Sequence, residues 1–299
     1  MFITVEEINK NISDPTFVLK AEQEYMRNIK GIANAIAENR FQRPIVLLSG
    51  PSGSGKTTTA FLLEKEIEKM GLETHTLSLD NYFKTLTKEE KALNEEAKLD
   101  LESPDRVNIP LLNSQLRSII NCEEVEVPRF DFINSESVKG VPFKRKEGEV
   151  VVVEGIHALN PNVITLPDED TDKIYISVRT RIKKGDELLH PSYVRLMRRI
   201  LRDITGRGRE PKETELLYDK VEKGAEKFIM PYKYRADYSI DTFFSYEVSV
   251  YKDKLMKLEG GEKLRFIKEF IKDIAPLSEN CVPEDSLIRE FIGNGSFKY

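Results

Sequence analysis

The stretch Gly50-Pro51-Ser52-Gly53-Ser54-Gly55-Lys56-Thr57 constrains this chain more than any other. It fits the spacing G-x-x-x-x-G-K-[ST], and its flanks suit the pattern. Ile45-Val46-Leu47-Leu48-Ser49 before it is an apolar run with strand character. After it, Ala60, Leu63, Ile67 and Met70 recur at helical spacing. In a strand–loop–helix setting the glycines let backbone N–H groups turn inward around a phosphate chain. The helix N-terminus adds partial positive charge. Gly50, Ser52, Gly53, Ser54, Gly55, Lys56, Thr57 and Thr58 are therefore predicted nucleotide contacts. Lys56 would reach the outer phosphates, and the Thr57 hydroxyl would ligate magnesium. The alternative is a glycine-rich turn without a ligand.

Two further strands are predicted to end in acids. Glu73 to Leu79 runs into Asp80-Asn81-Tyr82-Phe83, and Glu149 to Val153 runs into Glu154-Gly155. In open parallel sheets ligands sit beyond the carboxyl ends of the strands, so both acids would face the crevice of the phosphate loop. Asp80 becomes a candidate catalytic group. Glu154, closing a continuous valine run that predicts a central parallel strand, becomes a candidate magnesium partner. Each could instead cap the following turn. Arg129-Phe130-Asp131-Phe132 offers two aromatics that either fill core or form a slot for a flat ring.

A helix is predicted from about Leu19 to Asn39, and another from Pro191 to Arg209. The second carries an apolar stripe (Val194, Met197, Leu201, Ile204) and an arginine stripe (Arg195, Arg198, Arg199, Arg202), followed by Gly206-Arg207-Gly208-Arg209. In a phosphate-transfer protein an exposed arginine stripe reads as a lid, spanning about residues 185–210. Leu86 to Leu99 is predicted as a solvated helix or mobile segment. The partition is an N-terminal helical segment (1–43), a phosphate-loop domain (44–245) and a helical C-terminal extension (246–299). The fold class is α/β, with a mainly parallel sheet flanked by helices.

The formal net charge of -5 gives no basic field for nucleic acid or an anionic membrane. Two separated cysteines and three histidines leave little material for a zinc site. No apolar run reaches membrane-spanning length, so a reduced, cytoplasmic protein is expected. Homo-oligomerisation is a possibility that the composition leaves open.

The ordered motifs Gly50–Thr58, Leu77–Phe83, Ser103-Pro104-Asp105, Pro128–Phe132, Val151–Ile156 and Arg195–Ile204 resemble the uridine kinase family, within the uridine kinase and phosphoribulokinase superfamily. The resemblance covers roughly Pro44 to Asp241. It implies ATP- and Mg2+-dependent phosphorylation of a nucleoside 5′-hydroxyl, uridine or cytidine first. By the same resemblance Asp80 is the base, Glu102 meets the ribose hydroxyls, and Phe83, Phe130 and Phe132 lie on the acceptor side. Arg198 and Arg202 would act on the transferring group with Lys56; Arg195 and Arg207 would bind ATP, and Arg195 would also border the acceptor. Where typical members carry tyrosine and histidine to read the pyrimidine edge, this chain has Phe130 and Ser135. Other readings are a phosphoribulokinase-like small-metabolite kinase and, from another class, a nucleotide-dependent switch or nucleic-acid-stimulated ATPase. Asn280 to Phe291 resembles the tail of a bacterial branch of the family.

Overall fold

A computed structural model describes residues 1–95 and 99–298. The chain opens with β1 (Phe2–Thr4) and α1 (Val5–Ile12). Thr4 and Glu7 form a reciprocal capping box at the start of α1. The long α2 (Phe17–Asn39) buries Ile29, Ile32, Ala33 and Ile36, the stripe its spacing predicts. Then come β2 (Ile45–Ser49), α3 (Lys56–Glu68), β3 (Thr74–Ser78) and α4 (Lys88–Glu95). Within the predicted solvated stretch Leu86 to Leu99, residues 96–98 lie outside the described residues.

The middle of the chain forms α5 (Ile109–Ile120), the hairpin strands β4 (Val125–Asp131) and β5 (Glu136–Phe143), then β6 (Val150–Glu154) and β7 (Thr171–Ser177). Short strands β8 (Arg181–Lys184) and β9 (Glu187–Leu189) precede α6 (Pro191–Gly206) and α7 (Pro211–Phe228). The last elements are β10 (Tyr238–Asp241), α8 (Glu247–Lys257), α9 (Glu262–Ile271) and α10 (Arg289–Ile292).

The central sheet has the order β10-β7-β2-β6-β3 and is parallel throughout. Its strand alternation separates two cores. Val46, Leu48, Val150 and Val152 face one side, packed with α2, α3, α6 and the C-terminal helices. Ile45, Leu47, Val151 and Val153 face the other, packed with α5. A strand buried on both faces loses the polar alternation of a surface strand, which is why β6 reads as unbroken valine. Register sets up the site: Glu154 pairs with both Leu48 and Ser78. The phosphate loop, Glu154 and Asp80 therefore leave the same edge of the sheet.

Two expectations are corrected. The polar stretch from Arg179 to His190 is an insertion in sequence that is ordered in the fold, because β8 and β9 form a three-stranded sheet with β1. Residues 187–189, given to the lid by the sequence, are a strand of that sheet. The arginine stripe of α6 is also buried rather than exposed: Arg195, Arg198 and Arg199 are all enclosed. Periodicity marks a polar stripe but cannot say whether it meets water or a polar loop.

Candidate active site

The phosphate loop bends where glycine is required. Gly53 and Gly55 have φ of +78° and +87°, in the left-handed region. A Cβ on Gly50 would stand 2.2 Å from the Ile176 carbonyl oxygen, so the loop presses against β7. Among the described residues the buried Ser54 hydroxyl has no hydrogen-bond partner. A cradle with an orphaned donor above a helix N-terminus suits the phosphates of ATP.

Helix α6 lies directly on this loop, and its arginines hold it. Arg195 donates to the Ser52 carbonyl at 3.3 Å and also binds Glu222. Arg199 donates to the Ser52 hydroxyl. Arg198 donates to the Gly53 carbonyl at 3.1 Å, and its Nε and Nη2 meet Glu247 at 2.8 and 3.0 Å. Burial alone would lower the Arg198 pKa, but Glu247 holds it above the usual arginine value. With both partners fully buried, Arg198 is a structural tie between the loop and α8, not a group free to meet a transferring phosphoryl. That corrects its predicted catalytic role. Enclosed arginines also remove the motive for a nucleic-acid-binding surface on this helix.

Lys56 sits among acids. Burial pushes its pKa down, while Glu154, Asp80, Glu290 and Glu102 push it up. Burial raises the pKa of Asp80, opposed by Lys56 and Arg207. Asp80 thus lies within the electrostatic reach of the phosphate-loop lysine and Arg207. Glu154, 8% exposed, is raised by burial and by Asp80. Mutually repelling carboxylates around Lys56, next in sequence to the half-buried Thr57, are chemistry that a divalent cation relieves. Thr57 and Glu154 therefore fit a magnesium site. Burial lifts Glu102 to about 7, against the pull of Arg199 and Lys56, and its Oε2 is sealed without a partner among the described residues. A Cβ on Gly224 of α7 would stand 2.4 Å from that of Glu102, so glycine leaves room for the carboxylate to enter.

Phe83, Phe130 and Phe132, expected from sequence on the acceptor side, form an edge-to-face chain. Centroids are 5.7 Å apart for Phe83 and Phe130, and 5.2 Å for Phe130 and Phe132. The planes of Phe130 and Phe132 stand 74° apart, and Phe132 is 63% exposed. Two rings at that angle cannot sandwich a flat ring between them, so the slot expected from sequence becomes a single-faced apolar wall. The Phe130 N–H faces the Asn81 side-chain oxygen at 3.4 Å, tying the hairpin to the Asp80 turn. Ser135 has φ of +56° in the hairpin loop.

Three partners escaped the sequence reading. Glu247 and Thr242 hold Arg198 from beyond β10, and Glu290 of α10 reaches the first turn of α3. Only the last had a signal, the tail motif from Asn280 to Phe291.

Loop, strand-end acids and arginine helix define a P-loop phosphotransferase site. The profile of the "Phosphoribulokinase / Uridine kinase family" matches residues 45–249. A "Uridine kinase" of Macrococcus caseolyticus is 32% identical over 69% of this chain and 91% of its own length. Another "Uridine kinase", from Staphylococcus epidermidis, is 31% identical over 70% and 92%. A "Uridine-cytidine kinase 2-B" of Danio rerio is 30% identical over 64% and 70%. The chain belongs to the phosphoribulokinase and uridine kinase family. It is a kinase that transfers a phosphoryl group to an alcohol. Among the described residues, no helix is long and apolar enough to cross a membrane.

Proposed function

We propose that this kinase transfers the γ-phosphoryl group of ATP to the 5′-hydroxyl of a nucleoside, uridine or cytidine foremost. The observation that carries this reading is Asp80, a half-buried carboxylate just past the end of β3, within electrostatic reach of Lys56 and Arg207. A carboxylate with raised proton affinity suits the acceptance of a hydroxyl proton. The acceptor oxygen bonds to the γ-phosphorus as the bond from that phosphorus to the bridging oxygen breaks. The hydroxyl proton passes to Asp80, and ADP leaves with the electron pair. Lys56 and Arg202 offset the charge that spreads over the transferring group. Bound at Thr57 and Glu154, Mg2+ would neutralise β- and γ-phosphate charge. Glu102 would hold the ribose hydroxyls, and the phenylalanine wall one face of the base.

The test is Asp80→Asn. MgATP binding by calorimetry should persist while transfer falls by several orders of magnitude. Near-normal turnover would sink the assignment. A second reading, a small-metabolite kinase, is favoured by Phe130, whose ring has no polar group for a pyrimidine edge. ADP release across a panel of nucleosides, ribulose 5-phosphate and other sugar phosphates separates the two.

A further inference from the structure

The segment after α9 is built into the back of the phosphate loop. Leu287, Ile288, Phe291 and Ile292 are buried in the core shared with β2 and α3. Leu287 stands where a Cβ on Gly55 would go, 2.4 Å from its Cδ1. Ser286 donates to the buried Glu22 at 2.6 Å, and Tyr246 donates to the same carboxylate. Arg289 donates to the carbonyls of Glu279 and Val282 at 3.0 and 2.6 Å, closing the segment on itself. The Arg198 guanidinium lies 5.0 Å from the centre of the Phe291 ring. From this anchored platform Glu290 reaches the site. It accepts from the Thr58 hydroxyl at 2.7 Å and pairs with Arg202 at 3.4 Å. The Glu290 side chain is only 7% exposed.

We propose that Glu290 is a positioning residue for phosphoryl transfer, fixing the first turn of α3 through Thr58 and setting Arg202 beside the phosphate loop. A detachable tail would touch the loop through exposed, weakly packed groups, whereas this segment is core. The proposal rests on ATP as the donor and not on the identity of the acceptor. Glu290 acts through Thr58 and Arg202.

Two variants separate its two bonds. Glu290→Gln keeps an oxygen for Thr58 and loses the ion pair; Glu290→Ala loses both. Each is followed by thermal unfolding, by MgATP calorimetry without acceptor, and by kcat and KM for ATP. Expected for Glu290→Gln is an ATP Kd within threefold of wild type with kcat reduced on the order of tenfold, the scale of one charge-assisted bond. Expected for Glu290→Ala is a further weakening of ATP binding, on the order of tenfold. If Glu290→Ala fails to fold, the isosteric Gln variant decides. Wild-type kcat and Kd in folded Glu290→Gln would overturn the proposal. So would tighter ATP binding in Glu290→Ala, which would make the carboxylate a competitor of the phosphates. Intact MgATP binding with no nucleoside turnover in wild type would count against the nucleoside acceptor alone.

Discussion

Replacing Glu102 with glutamine should change how stability depends on pH. Burial raises the Glu102 pKa from 4.5 in the open chain to about 7 in the fold. Between those values the folded state holds a proton that the unfolded chain has released, so stability falls as pH rises. The stabilising contribution is complete below pH 4.5 and is lost as pH climbs through about 7. At about 1.4 kcal/mol per pH unit, the ionised carboxylate costs about 3 kcal/mol at pH 8 relative to its acid form. The groups that face it are Arg199 and Lys56, which favour the charge, and Asp80 and Asp100, which oppose it. Glutamine has no charge to expose, so Glu102→Gln should match wild type near pH 5 and exceed it by about 3 kcal/mol at pH 8. Urea unfolding of both proteins at half-unit steps from pH 5 to pH 8 measures the gap directly. Other raised carboxylates, Asp80 and Glu154, remain in both proteins and cancel. A stability difference that stays flat across this range would falsify the assignment of a raised Glu102 pKa. The same variant should weaken acceptor binding while leaving the affinity for MgATP near wild type.

Arg198→Met leaves Glu247 buried with no cation, and should cost about 3–5 kcal/mol in urea unfolding; a cost below about 1 kcal/mol would mean that the pair does not tie α6 to α8. Gly55→Ala must adopt φ of +87° and meet Leu287, so it should lose about 1–2 kcal/mol of stability and most MgATP binding by calorimetry. Gly224→Ala would be stabilising by up to about 1 kcal/mol in an open helix. Here its Cβ meets Glu102 at 2.4 Å, so a lower melting temperature and a raised acceptor KM are expected, with KM for ATP unchanged. Removing divalent cations with a chelator should stop transfer and be reversed by Mg2+; activity that persists would exclude Thr57 and Glu154 as a required cation site.

Legibility of this site followed distance along the chain. The phosphate loop, Asp80 and Glu154 could be read because each lies within a few residues of the strand that presents it. The glycine spacing is local geometry, and so is an acid at the end of a valine run. Arg198 was misread because its stripe looks the same facing water or facing Ser52 and Gly53. Its partner Glu247 is 49 residues away, with nothing in either neighbourhood to announce the pair. The hairpin escaped for another reason: the half-exposed β5 mixes Lys139, Gly140 and Pro142 with Val138 and Val141, so alternation is faint. The angle between Phe130 and Phe132 depends on tertiary packing, which a count of aromatics cannot supply. The sheet order was likewise beyond local pattern, since β2 lies between β6 and β7, both made much later.

The span between Thr58 and Glu290, 232 residues, also sets an order of events during synthesis. At roughly 5–20 residues per second, some ten to fifty seconds separate the emergence of the phosphate loop from that of the segment that backs it. Throughout that interval Gly55 has no Leu287 behind it, and the core beside β2 and α3 lacks Ile288 and Phe291. The β1 strand waits too, because its partner Arg181 and neighbours come late. The nascent chain therefore carries a nucleotide loop that is complete in sequence yet open at the back, and its folding is gated by a segment made 232 residues later. A ribosome paused before Leu287 should display a chain that captures ATP poorly and binds chaperones well, until the tail arrives and closes the loop.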